Sequence, residues 1–103
     1  MTSPNLQLEM TFRHLTDLES LVGAVRRCAT ILERHAIEGA RCSVYVAPRA
    51  PGGSMYEAET RLTACGVFAI ERAAAPCPYE AIEQVFERLG GRLAPNPQPG
   101  AAA

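Results

Sequence analysis

Lysine is absent from this chain of 103 residues: its ten basic side chains are all arginines, set against eleven acidic ones for a formal net charge of -1. The overall basic charge typical of nucleic-acid binders is therefore missing. Nowhere does the sequence reach the run of about 18 apolar residues that a membrane span needs. The start, Met1-Thr2-Ser3-Pro4-Asn5, has neither the basic nor the apolar segment of a secretory leader. A cytoplasmic protein without a membrane partner is the expectation. Cys28, Cys42, Cys65 and Cys77 lie far apart with no C-x-x-C pair, so spacing signals neither a zinc site nor a redox motif. Reduced, mostly buried thiols are expected. His14 and His35, at a strand end and a helix end, have no cysteine or carboxylate at a nucleophile spacing. No enzyme activity, cofactor, metal or small-molecule substrate is predicted.

What is present suits one packed domain. Hydrophobic residues make up 48% of the chain, enough for a single core at this length. The expected domain runs over 1–94, and the tail 95–103, rich in proline and alanine, is predicted to be disordered. Leu6, Leu8, Met10 and Phe12 alternate with Gln7, Glu9, Thr11 and Arg13, the period of a half-buried strand. Thr16-Asp17-Leu18-Glu19 predicts a capping box, with the Thr16 hydroxyl accepting from the Glu19 N–H. The stripe Leu18, Leu21, Val22, Val25, Cys28, Ala29, Leu32 and Ala36 then predicts a helix of about five turns, with Gly39 as a left-handed stop. Cys42 to Ala47 reads as a second strand ended by Pro48, and Tyr56 to Ala64 as a third. Cys65-Gly66 is a tight-turn candidate, and Val67 to Ala73 a fourth strand whose facing the pattern leaves open. Phe68 and Ile70 share one side with Arg72, while Val67 and Ala69 share the other with Glu71. Pro78 fits the first position of a second helix, carried by Tyr79, Ile82, Val85, Phe86, Leu89 and Leu93. Gly90-Gly91 weakens its last turn.

A helix between the first two strands permits parallel pairing with a right-handed crossover, and the short later loops predict an antiparallel meander. The expected fold is α+β: a two-layer β-α-β-β-β-α domain whose four-stranded mixed sheet carries both helices on one face, as in double-stranded-RNA-binding domains. Leu8, Met10, Phe12, Leu21, Val25, Leu32, Val44, Leu62, Ile82, Phe86 and Leu89 are the predicted core.

Leu8-Glu9-Met10-Thr11-Phe12-Arg13, the helical Leu32-Glu33-Arg34-His35, and Tyr79-Glu80-Ala81-Ile82-Glu83-Gln84-Val85-Phe86-Glu87-Arg88-Leu89 resemble the first strand and two helices of the short ribosome hibernation-promoting factors, also called ribosome-associated translation inhibitors. The resemblance spans Leu6 to Leu93 in the same element order. It implies a stress or stationary-phase protein that binds the ribosome, covers the decoding region between the subunits and inhibits translation. The partner it implies is small-subunit rRNA, met by basic residues on the outer helix faces. The C-terminal dimerisation domain of longer relatives is not found in these residues, and a monomer off the ribosome is expected. The sequence departs from the family in its cations. Cys28 and Ile31 stand about where relatives carry positive charge on the first helix, and Gly90-Gly91 where their second helix usually continues.

The candidate rRNA-binding residues are therefore Arg26, Arg27, Arg34, Arg88 and Arg92. Arg27, Thr30 and Arg34 fall on one line away from the apolar stripe, and Arg88 and Arg92 are one turn apart. Helices packed side by side can join the two lines into one basic strip. An arginine fork holds a phosphate through two bonds and stacks on bases. The plainer reading is a solvated surface in which Arg26, Arg34 and Arg88 pair with Glu33, Glu38 and Gln84. Glu80, Glu83 and Glu87, with no histidine partner, read as a solvated helix face. The alternative function is a protein-interaction module with weak or no rRNA binding, using the open sheet face through Tyr45, Phe68 and Ile70.

Overall fold

The computed structural model describes residues 7–34, 39–50, 53–64 and 67–93. The elements run β1 (Gln7–Phe12), α1 (Leu18–Arg34), β2 (Arg41–Pro48), β3 (Tyr56–Ala64), β4 (Val67–Ala75) and α2 (Pro78–Leu93). They form the expected β-α-β-β-β-α order. The sheet is mixed, in spatial order β1-β2-β3-β4. β1 lies parallel to β2 with Met10 opposite Val44, and β2, β3 and β4 form an antiparallel meander, with Val44 opposite Thr60 and Thr60 opposite Glu71. The Cys65-Gly66 turn, the tail 95–103, Leu6, His35 and Ala36 lie outside the described residues.

Alternation places one side of each strand against the helices. Cys42, Val44 and Val46 of β2, Ala58 and Leu62 of β3, and Ala69, Ala73 and Ala75 of β4 meet Leu21, Val25 and Leu32 of α1 and Ile82, Val85, Phe86 and Leu89 of α2 in one buried cluster. Both helices thus share one sheet face, as two amphipathic stripes require. Eight of the eleven predicted core residues are fully buried, whereas Leu8, Met10 and Phe12 are half-buried and pack against the margin of that cluster. Their strand, β1, is a sheet edge with a neighbour on one side only. The Thr60 hydroxyl also faces this core, fully buried and without a hydrogen-bond partner among the described residues.

The entry to α1 differs from the expected capping box. The first helical bond runs from the Leu21 N–H to the Asp17 carbonyl at 3.2 Å, so the cap is Asp17, one residue beyond Thr16. His14 and Asp17 both adopt φ of 57°, a left-handed turn that histidine and aspartate tolerate better than most side chains. That turn moves the start of the helix to Leu18 and takes Thr16 out of capping register. The Asp17 carboxylate instead accepts a hydrogen bond from the Tyr79 hydroxyl at 3.4 Å, joining the starts of the two helices.

Gly39 takes the left-handed conformation, φ 66°, ahead of β2. Pro78 opens α2, with the Ala81 N–H bonded to the Cys77 carbonyl at 3.0 Å. α2 continues through Gly90-Gly91 to Leu93, the buried Leu89 and Gly90 holding its last turns against the sheet.

Candidate nucleic-acid interface

The predicted arginines occupy two separate places. On α1, whose buried side is Leu21, Ala24, Val25, Ala29 and Leu32, Arg26 and Arg27 are exposed. Neither makes an ion pair with a described residue. Thr30 follows one turn after Arg26 and donates its hydroxyl to the Arg27 carbonyl at 2.7 Å. Arg34 is the last residue of α1.

Arg88 and Arg92 of α2 turn toward β4, the sheet edge farthest from β1. Arg88 donates to the Arg72 carbonyl, and Arg92 pairs with the Glu71 carboxylate, which is largely shielded from solvent. The other flank of α2 faces α1 with the opposite charge. Glu83 lies close enough to Cys28 of α1 to raise its thiol pKa, adding to the larger effect of burial, while Arg27 acts in the lowering sense. A 100° turn per residue puts Glu83 and Glu87 on one side of α2 and Arg88 and Arg92 on the other. The two arginine lines therefore do not merge across the helices. Glutamates stand between them.

The open sheet face carries the remaining chemistry. Phe68 is 63% exposed, Tyr45 38% and Ile70 37%. All three point away from the helices, and the facing of β4, open in the sequence, is thereby fixed. Ala69, Ala73 and Ala75 lie under α2, and Phe68 and Ile70 lie outside. Arg61 and Arg72 of the same face hold Glu59 between them, at 2.6 and 3.0 Å. The hydrogen bond from Arg61 leads in drawing the Glu59 carboxyl below the usual carboxylate range, with Arg72 assisting against partial burial. Arg49 pairs with Glu57 at 3.5 Å, and Arg41 donates to the Gln7 side chain at 3.3 Å.

No local sequence pattern assigns Arg88 and Arg92 to β4, because their partners lie 16 and 21 residues away. Arg41 shares the two-residue phase of Tyr45 along β2, and Arg72 that of Phe68 and Ile70 along β4, which puts these cations, with Arg61 opposite Ile70, on the open face and outside the predicted set. The described thiols are ordinary. Cys42, buried on β2, has its pKa pushed up to about 11 by burial. Among the described residues no three histidine, cysteine or acidic side chains gather as metal ligands, and no helix is long and apolar enough to cross a membrane.

No family model and no curated protein matches the sequence. Solved structures do match the fold. The N-terminal domain of Thermus thermophilus Protein Y superposes with a TM-score of 0.73 at 19% identity, over 86% of this chain and 94% of that one. A ribosomal subunit interface protein from Coxiella burnetii gives a TM-score of 0.64 at 11% identity, over 84% of this chain and 92% of that one. At such identities the likeness is one of fold, and it extends over nearly the whole of each domain.

Proposed function

We propose that this chain is a ribosome-associated factor of the hibernation type, a non-enzymatic protein that occupies the decoding region between the subunits and inhibits translation. The observation that carries this reading is the superposition on Protein Y over 86% of the chain, together with the independent resemblance of β1, α1 and α2 in sequence. A second solved neighbour is a ribosomal subunit interface protein, which supports the same partner.

In this reading small-subunit rRNA meets the outer helix faces of a cytoplasmic monomer. Arg26 and Arg27, exposed and without an ion pair among the described residues, make the first phosphate contacts, and Arg34 of the same helix is the third candidate. Arg88 and Arg92 join by exchanging the Arg72 carbonyl and the Glu71 carboxylate for phosphate oxygens, so each gives up an internal partner to do so. Shape fit to a preformed cleft supplies what charge does not, because the chain as a whole is not basic.

The test is sedimentation of a stationary-phase lysate at low and raised salt, with the protein followed across the ribosomal fractions. The protein travels with small subunits and intact ribosomes at low salt and leaves them as salt rises. Arg27→Glu combined with Arg88→Glu releases it even at low salt. A wild-type protein that stays at the top of the gradient in both conditions removes the reading.

A further inference from the structure

The open sheet face differs from the helical face in charge as well as in shape. Arg13, Arg41, Arg49, Arg61 and Arg72 lie on it or at its ends, against Glu9, Glu57 and Glu59. The described outer faces of the helices set Arg26, Arg27, Arg88 and Arg92 against Glu19, Glu80, Glu83 and Glu87. In a chain of net charge -1, positive charge therefore gathers on the sheet.

Exposed rings stand among these arginines. The ladder registers place Phe68, Thr63 and Arg41 in one row across the face, Ile70, Arg61 and Ser43 in the next, and Arg72, Glu59 and Tyr45 in the third. Tyr45 and Phe68 are two strands and four residues apart, about 16 Å from standard sheet spacings, so each can serve a separate base. Beside Tyr45 an open hollow of about 410 Å³ is lined by Thr11, Ser43, Glu59 and Arg61. Its hydroxyls and carboxylate are suited to bond a ribose 2′-hydroxyl, and its guanidinium a phosphate or a base edge.

We propose that this sheet face binds single-stranded RNA, with Tyr45 and Phe68 as stacking platforms and Arg41, Arg61 and Arg72 as the cations that track the strand. Aromatic side chains interleaved with arginines on an open sheet are the arrangement that takes unstacked bases. A protein-docking face places its apolar residues at the centre and its charges at the rim. Here Arg61 and Glu59 hold the centre, and the apolar side chains are spread around them. The surface uses none of the helix arginines assigned to the ribosome above, so the two readings succeed or fail separately.

The experiment is fluorescence anisotropy of an end-labelled, uridine-rich oligoribonucleotide of about ten residues, titrated with the whole protein at roughly 50 mM salt. The strand binds, and binding weakens as salt rises. Tyr45→Ala and Phe68→Ala each weaken it at least about fivefold, while Tyr45→Phe, which keeps the ring, restores most of the affinity. Arg61→Ala with Arg72→Ala weakens it further, and Arg26→Glu with Arg27→Glu has the smaller effect. The duplex form and the DNA of the same sequence bind more weakly. All the altered side chains are exposed, and unchanged thermal melts confirm that each variant folds. Absence of wild-type binding at low salt overturns the proposal. So does binding that survives Tyr45→Ala with Phe68→Ala but is lost on Arg26→Glu with Arg27→Glu, and so does equal affinity for DNA.

Discussion

Thr60 offers a sharp test of the packing described above. Its side chain lies on β3 between Val44 and Glu71 in the neighbouring strands, faces the helices, and is fully buried, its hydroxyl without a partner among the described residues. Thr60→Val replaces that hydroxyl with a methyl of nearly the same shape, so no cavity opens and no neighbour is displaced. Leaving a buried donor or acceptor unsatisfied costs about 1–3 kcal/mol, and the substitution removes that cost while keeping a β-branched side chain suited to a strand. The expected gain is about 1 kcal/mol or more, a rise in Tm of about 4–8 °C per kcal/mol for a domain of this size. Urea unfolding measures it as a higher midpoint at unchanged slope. Leu62→Ala, two residues on and equally buried, calibrates the assay with a loss of about 2–5 kcal/mol. A Thr60→Val protein less stable than wild type would show that the hydroxyl has a partner, and the description of this side of β3 would be wrong.

Gly91 is exposed within α2, and a Cβ added there meets nothing within 4 Å. Gly91→Ala therefore stabilises the protein by up to about 1 kcal/mol, and an unchanged or lower denaturation midpoint would contradict the continuous helix. Glu59, its carboxyl pKa lowered by Arg61 and Arg72, contributes stability that is complete above the ordinary carboxylate range and lost as pH falls through its depressed value. Glu59→Gln is accordingly less stable than wild type at neutral pH, and the difference closes in acid; a gap that widens as pH falls would reverse the assigned shift.

Much of this fold was legible because its periods are clean. β3 runs from Tyr56 to Ala64 as the alternation predicts, and α2 starts at Pro78 where a proline without an N–H costs nothing. Parallel pairing of β1 with β2 follows from the helix between them. The facing of β4 did not follow, since each side of the strand mixes apolar residues with a charge, Phe68 and Ile70 with Arg72 and Val67 and Ala69 with Glu71. The structure buries Ala69, Ala73 and Ala75, because α2 lies over that side of the strand. α1 starts one residue later than Thr16-x-x-Glu19 predicts, because the left-handed His14 and Asp17 override that local rule. Of the candidate site, the exposure of Arg26 and Arg27 was readable from the helical stripe. The attachment of Arg88 and Arg92 to β4 was not, because a contact between distant residues leaves no local pattern.

The measurement that bears most directly on the proposed ribosomal role is the affinity of the purified protein for purified small subunits across a salt series. With Arg26, Arg27 and Arg34 as the main phosphate contacts, binding is present at roughly 50 mM salt and falls about ten- to fortyfold by 200 mM, the counterion-release slope for two or three phosphates. Engagement of Arg88 and Arg92 as well steepens the fall to about two orders of magnitude or more. Arg26→Glu with Arg27→Glu abolishes binding at low salt without altering the thermal melt. No association of the wild-type protein with small subunits at low salt, or association indifferent to that double substitution, would contradict the account.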